Sequence, residues 1–466
     1  MNITIFPGQT LWDALQKNNT ILPRPCGGKG ICGGCKVHVS GVGDVVSCRF
    51  MRPGSYEVTL PAQTNFSTVF ESPSSPILAQ ELMKPASCCA MVDIGTTTVA
   101  VLLYDGSQFH RHHFTNPQRA FGADVMSRIE SANSGHLQEL SDMIRQPLIE
   151  LIATLPSCPV FISANTTMLH LLRGFSCEGL GKAPFHPISL AFETEQWHCQ
   201  GKIYDILFLP SISAYVGADI VSGIFHLGMT EQETPTLLID LGTNGEMAIG
   251  NSHGLLCTSA AAGPAFEGSR LGLSLHASGI MQCLHMMLDS GVMDETGLLA
   301  KPYFEKGFPI PSSILKKANI TEPFYFTQED VRDIQLAKGA IRAGIDILLK
   351  ESKILPHELG AVYLAGGMGY FLDASDAVAI GLLPESLGDK TQSVGNTSLL
   401  GALKFACETP AHLPCTSAFK SAIIDSSAFH TIAHIPESAS EIILADHPEF
   451  ADRYVGAMNF GIEPEE

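Results

Sequence analysis

Two stretches of one design, beginning at Asp93 and at Asp240, constrain this chain more than any other feature. Cys89-Ala-Met-Val-Asp93-Ile-Gly95-Thr96-Thr97-Thr98-Val-Ala-Val reads as strand, tight turn, strand, and Thr236-Leu-Leu-Ile-Asp240-Leu-Gly242-Thr243-Asn244-Gly245-Glu246 repeats it. In such a loop glycine lets the main chain approach phosphate, threonine hydroxyls and turn N–H groups bond the oxygens, and the aspartate holds Mg2+ directly or through water. One Asp-Xaa-Gly-Thr arises by chance in turns. Two copies, each behind an apolar strand, predict a nucleotide cleft with one loop from each half. On this reading Gly95, Thr96, Thr97, Gly242, Thr243 and Asn244 hold phosphate, while Asp93 and Asp240 are the candidates for Mg2+ and for orienting the attacking water. The alternative for either aspartate is a plain turn residue, and Glu246 and Glu267 are weaker candidates that could cap or pair instead.

A third piece fits the same cleft. Ala361-Val-Tyr-Leu-Ala-Gly366-Gly367-Met-Gly369 is an apolar strand running into glycines, so Gly366 and Gly367 are expected to shape the nucleoside side. Before it, Thr327 is placed to cap a helix whose apolar face carries Val331, Ile334, Ile341 and Ile345. Lys338 and Arg342, one turn apart on that helix, either reach a phosphate or face solvent. The stretch from 285 to 326 carries no cleft motif and reads as an insertion.

The N-terminal region adds different chemistry. Cys26-Gly-Gly-Lys-Gly-Ile-Cys32-Gly-Gly-Cys35 is followed, after a gap, by Cys48. Four thiolates suit zinc or an iron–sulfur cluster. The density of glycines favours the cluster, because it frees backbone N–H groups to point at anionic sulfur. A [2Fe–2S] cluster on Cys26, Cys32, Cys35 and Cys48 is therefore expected, with zinc or inert thiols as alternatives. Asn2-Ile-Thr-Ile-Phe, Lys36-Val-His-Val and Glu57-Val-Thr-Leu read as strands, and Thr10 as the N-cap of a short helix. The proline- and serine-rich residues 61–89 read as a linker. Cys88 and Cys89 read as a buried pair rather than a second redox site. His110-Arg-His112-His113 reads as a solvated strand rather than a metal site, and the remaining cysteines as buried small residues.

Composition narrows the partners. The formal net charge is −19 and no basic cluster occurs, which argues against nucleic acid and anionic membranes. No run is long and apolar enough for a membrane span, and the start does not read as a signal peptide. Thirteen cysteines at irregular spacings do not form a secreted disulfide framework, so a cytoplasmic, reducing and anaerobic setting is expected.

Cys26 to Cys48 resembles an adrenodoxin-type ferredoxin on a β-grasp fold, with the segment between Cys35 and Cys48 shortened. The two loops, the capped helix and the glycine-terminated strand resemble the acetate and sugar kinase, heat-shock chaperone and actin (ASKHA) superfamily. Asn116-Pro-Gln-Arg-Ala-Phe-Gly-Ala-Asp124, Asn165-Thr-Thr-Met, Pro210-Ser-Ile-Ser-Ala-Tyr-Val-Gly217-Ala-Asp219, Ala262-Gly-Pro-Ala-Phe-Glu267-Gly268 and Val394-Gly-Asn-Thr-Ser take the match further. Together they resemble the ASKHA-domain [2Fe–2S] ferredoxins that reductively activate corrinoid enzymes. The resemblance implies a multidomain α/β chain: a ferredoxin-like β-grasp domain at 1–60, a linker at 61–89, ASKHA-like lobes at 90–205 and 206–430, and a C-terminal extension at 431–466. It implies ATP-dependent, one-electron reduction of a corrinoid protein's Co(II) to Co(I). A corrinoid protein and an external low-potential electron donor are then the partners, with a homodimer as an option. Two other readings stand beside it: a nucleotide-binding iron–sulfur redox sensor, and an activator of 2-hydroxyacyl-CoA dehydratases. The four-cysteine N-terminal module speaks against the latter.

Overall fold

A computed structural model describes residues 1–18, 20, 22, 30, 35–60, 82–263, 265, 266, 270–317, 320, 321, 323–366, 372–409 and 417–461. Cys26, Cys32, Glu267, Gly268 and Gly367, and the linker from 61 to 81, lie outside the described residues.

The N-terminal module is a four-stranded antiparallel sheet of β1 (Asn2–Ile5), β2 (Lys36–Val39), β3 (Gly43–Val46) and β4 (Gly54–Thr59), in the order β1-β4-β2-β3. Strict alternation buries Ile3, Ile5, Val37 and Val39 on one face. The helix Leu11–Lys17 covers that face with Leu11, Trp12, Ala14 and Leu15. Its start is fixed as expected: the Asp13 N–H donates to Thr10 Oγ1 at 3.1 Å while the Thr10 N–H donates back to Asp13 Oδ2 at 2.9 Å.

Two further sheets follow. The first comprises β5 (Cys89–Ile94), β6 (Thr98–Tyr104), β7 (Phe109–Thr115), β8 (Pro159–Ala164), β9 (Glu193–Cys199) and β10 (Lys202–Phe208), ordered β7-β6-β5-β8-β10-β9. The second comprises β11 (Thr236–Leu241), β12 (Gly245–Asn251), β13 (Gly254–Ala260), β16 (Ala361–Ala365), β17 (Thr391–Gly395) and β18 (Ala439–Ile442), ordered β17-β16-β11-β12-β13-β18. Between β13 and β16 in sequence, β14 (Phe308–Pro309) and β15 (Tyr325–Phe326) form a separate two-stranded ladder. Each large sheet is built around the same five-strand plan. A meander of three antiparallel strands begins at the Asp-Xaa-Gly-Thr strand, and two parallel strands extend its other side. Both loops therefore leave the central strand of their sheet, at its C-terminal end, where α/β sheets bind ligands. The repeated plan is the two-lobed ASKHA architecture.

The lobes meet through two helices, Ala218–Leu227 and Thr397–Glu408. Their approach is so close that a Cβ on Gly401 would lie 2.1 Å from the Ser222 carbonyl oxygen, and one on Gly223 would lie 2.9 Å from Thr397 Oγ1. Ser222 also contacts Ser163 on β8 at 2.9 Å, and Gly223 faces Leu238 on β11, so the helix Ala218–Leu227 touches both sheets.

This arrangement corrects the expected boundaries. The break at 205/206 cuts β10, and that at 430/431 cuts the helix Ser427–Ser438. Residues 206–227 and the helices from 397 to 438 share the core of the first lobe, where Phe405 packs edge-on against Phe161 (5.8 Å) and Phe225 (6.2 Å). The C-terminal residues pack on the second lobe: β18 pairs with β13, and Phe460 is buried in the second core. The stretch 285–326 likewise contributes Met287, Met293, Leu299 and Phe326 to that core. The helix Gln328–Ser352 has the expected capping box from Thr327 and Asp330 and buries all four expected apolar residues.

A methyl group cannot enter the Gly401–Ser222 contact without parting the helices. Gly401→Ala is expected to cost about 2 kcal/mol or more, in the range of overpacked cores, read as a lowered denaturant midpoint. Gly456→Ala, which meets nothing within 4 Å, serves as the neutral control.

Candidate functional site

Both loops converge on the cleft between the lobes. Gly95 is required by space, since a Cβ there would lie 2.8 Å from the Thr98 carbonyl that accepts the Gly95 N–H. Thr97 and Thr243, from opposite loops, meet hydroxyl to hydroxyl at 2.9 Å, and both are buried. Thr96 is buried, its hydroxyl accepting from Asn165 Nδ2 at 3.2 Å and its carbonyl from the buried Arg128 guanidinium at 2.5 Å. Asn116 ties down the same loop, donating from Nδ2 to the Gly95 carbonyl at 2.9 Å and from its backbone N–H to the Thr97 carbonyl at 2.8 Å. In the second loop the Gly242 N–H bonds the Asn244 carbonyl at 3.0 Å, and Asn244 Nδ2 reaches Glu246 Oε1 at 3.1 Å.

Asp93 is gripped from far along the chain. Asn396 Nδ2 donates to its Oδ2 at 2.7 Å and Ser398 Oγ to its Oδ1 at 2.8 Å. Asn396 is also the N-cap of the helix Thr397–Glu408, its Oδ1 accepting from the Leu399 N–H. Burial raises the Asp93 pKa, against the lowering by these two donors. Asp240 stands at the end of β11, and Gly366 is fitted against it: φ is +96°, and a Cβ would lie 2.7 Å from Asp240 Oδ1 and 2.6 Å from the Leu241 carbonyl oxygen. Gly366 therefore packs on the second loop.

The sequence reading assigned no role to Asp219, the second residue of the helix Ala218–Leu227. Burial, with the charge of Asp93, pushes its carboxyl up to about 7. Burial and the charges of Asp219 and Asp240 raise Glu246 well above the usual carboxylate range. The four acids thus share one poorly solvated region, where each opposes ionisation of its neighbours. Arg128, Asn165, Asn396 and Ser398 were also unassigned. All but Arg128 lay inside the quoted motifs, so the signal was present but the long-range partner was not.

Other expectations resolve differently. Lys338 and Arg342 neither face solvent nor reach the loops. Lys338 is buried and donates to the Asn459 carbonyl at 2.6 Å, with its pKa lowered by burial to about 7, and Arg342 pairs with Asp346 at 3.0 Å. The C-terminal segment covers Lys338, whereas Arg342 also donates to the Gly381 carbonyl at 3.5 Å. His110 lies on β7 and bonds Asp105 at 2.7 Å. Cys89 is buried and Cys88 partly so, its pKa lowered by a hydrogen bond from Cys158. Cys177, Cys257 and Cys283 are buried, Cys199 and Cys407 partly exposed. Of the expected cluster ligands, Cys35 and Cys48 are buried in the N-terminal module, and the Ser47 N–H bonds the Cys35 carbonyl at 3.1 Å, so the two cysteine-bearing segments are held together.

Among the described residues no three His, Cys, Asp or Glu side chains form a group able to hold a metal ion. Among the described residues no helix is long and apolar enough to cross a membrane.

The sequence matches the RACo middle region over residues 88–232 and the C-terminal ASKHA domain of RACo over 234–278 and 272–465. The chain belongs to the RACo family of reductive corrinoid activators. A curated RACo-like relative, the corrinoid activation enzyme RamQ of Eubacterium limosum, is 28% identical over 435 residues, covering 79% of this chain and 70% of that protein. The Co(II) methylated amine-specific corrinoid protein reductase of Methanosarcina barkeri is 28% identical over 242 residues, 44% of this chain and 45% of that protein. The match thus spans less than half of that second relative. A solved structure of a reductive activator for corrinoid,iron-sulfur protein shares the fold, with a TM-score of 0.70 at 21% identity over 99% of this chain and 98% of that one.

Asp219 gives this RACo-family chain a pH signature in the nucleotide-free state. The unfolded chain ionises this group at the ordinary 3.8, the folded chain at about 7. Between those values the folded state binds the extra proton, so rising pH favours unfolding. Asp219→Asn removes this penalty. Its thermal midpoint should match that of the parent near pH 4 and exceed it increasingly toward pH 8, as measured by scanning calorimetry.

Proposed function

We propose that the chain is an ATP-dependent activator that passes one electron from an N-terminal [2Fe–2S] cluster to the Co(II) of a corrinoid protein, regenerating Co(I). The observation that carries the ATP half is the meeting of two Asp-Xaa-Gly-Thr loops, at Thr97 and Thr243, beside three acids, Asp93, Asp219 and Glu246, whose pKa values burial raises. Membership of the RACo family and the names of its relatives support the corrinoid half.

The residues divide the work as follows. Thr96, Thr97, Thr243 and the N–H groups of the two turns receive the phosphates. Asp93 and Asp240 would hold Mg2+, which would supply positive charge beside the phosphates and favour ionisation of the neighbouring acids. Asp219, whose carboxyl lies beside Asp93, would then take the proton of the attacking water as general base. Asn396 and Ser398 keep the Asp93 carboxylate in one orientation throughout. Cys35 and Cys48, with Cys26 and Cys32, hold the cluster, which when bound supplies a single electron at low potential.

The energetics explain the need for ATP. All-cysteine [2Fe–2S] centres of the plant type lie near about −400 mV, and a Co(II)/Co(I) couple is expected below that. Every ~59 mV uphill costs roughly 1.4 kcal/mol for one electron. A conformational input of a few kcal/mol, delivered as an altered grip on the corrinoid protein, therefore suffices to change the outcome.

Reduced protein mixed anaerobically with a Co(II) corrinoid protein should develop the Co(I) absorbance band, further with Mg-ATP than without. Asp219→Asn should lower the ATP hydrolysis rate by about 10²-fold or more while leaving the visible spectrum of the cluster unchanged. ATP without effect on the extent of Co(I) formation, with the cluster intact, would move the reading to a redox sensor.

A further inference from the structure

The N-terminal module and the first lobe are joined by an aromatic contact directly behind the phosphate loop. Trp12, on the module's helix, meets Phe121 edge to face, with ring centroids 5.9 Å apart and planes at 83°. Both rings are buried. Phe121 follows the short helix Pro117–Ala120, whose N-cap Asn116 is the residue that holds the Gly95 and Thr97 carbonyls. Gly122, next in the chain, gives its carbonyl to Arg128 Nε at 3.0 Å, while the same guanidinium reaches the Thr96 carbonyl. Gly122 has no slack, since a Cβ there would lie 2.1 Å from Ser127 Oγ. On the other side, the Trp12 N–H bonds the Ser47 carbonyl at 3.1 Å, and the Ser47 N–H bonds the Cys35 carbonyl. An unbroken run of packed and hydrogen-bonded groups thus leads from the first phosphate loop to two cluster cysteines.

We propose that Arg128, Phe121 and Trp12 are positioning residues that transmit occupancy of the phosphate loop to the cysteine-bearing segments. This rests on the ATP reading above and deepens it. Phosphate bound at Gly95–Thr97 places negative charge one peptide from a fully buried guanidinium, where attraction is weakly screened. Arg128 holds the loop and the Phe121–Gly122 turn with one rigid fork, so the two shift together. In a close-packed interior that shift passes to the ring packed against Phe121. Spatial continuity alone does not establish coupling, so the test measures it at Trp12.

The chain contains two tryptophans, Trp12 and Trp197. Trp197 lies on β9, so Trp197→Phe leaves Trp12 as the only tryptophan reporter. Full-length protein of this variant is titrated with Mg-bound non-hydrolysable ATP analogue, following Trp12 emission and, in parallel, the heat of binding. The expected result is an emission change that saturates with the calorimetric curve and is lost in the further variant Phe121→Met, which fills similar volume and still binds the nucleotide. The visible circular dichroism of the cluster should respond to nucleotide in the parent and not in Phe121→Met. Binding heat with unchanged Trp12 emission in Trp197→Phe overturns the joint alone, and needs no interface variant. No binding heat at all overturns the ATP reading and the joint with it.

Discussion

The grip of Asn396 and Ser398 on the Asp93 carboxylate holds the candidate site together across 303 and 305 positions of sequence. A half-buried carboxylate on a central strand has to be oriented by donors, or its desolvation is uncompensated. Here both donors sit on the first turn of one helix, and one of them also caps that helix. Fixing the helix N-terminus therefore fixes the acid. Because the same helix lies against Ala218–Leu227, the placement of Asp219 follows from it as well. The site is assembled by helix packing, with the two loops meeting across it at Thr97 and Thr243.

Much of this was legible in the sequence wherever the information is local. The two loops announce themselves because a buried strand, a glycine and a threonine hydroxyl must follow one another within a few residues. The capped helix from Thr327 and the alternation of Asn2–Ile5 are legible for the same reason. The lobe boundaries were not, because the helices from 397 onward return to the first lobe, and no local pattern records which sheet a helix packs on. Lys338 was misplaced because its partner, the Asn459 carbonyl, lies more than a hundred residues away. Asp219 stood inside a noted motif, but only its proximity to Asp93 and Glu246 reveals its character.

The crowding of Asp93, Asp219, Asp240 and Glu246 carries its own cost. Acids sharing a poorly solvated region destabilise the resting fold, and such strain persists where function needs it. Positive charge brought between these carboxylates would relieve the repulsion. The overall charge of −19 leaves this balance to local geometry, since a diffuse surface field cannot substitute for a ligand between the lobes.

The contact of Gly401 with Ser222 determines how the cleft can open. With no side chain between the two backbones there, the helices have no lubricating layer of rotamers over which to slide. Shear motion would have to break that contact, whereas rotation about it leaves the contact whole. The point of closest approach therefore acts as a fulcrum. Thr97 and Thr243 touch across the cleft, so any such rotation has first to part the two hydroxyls.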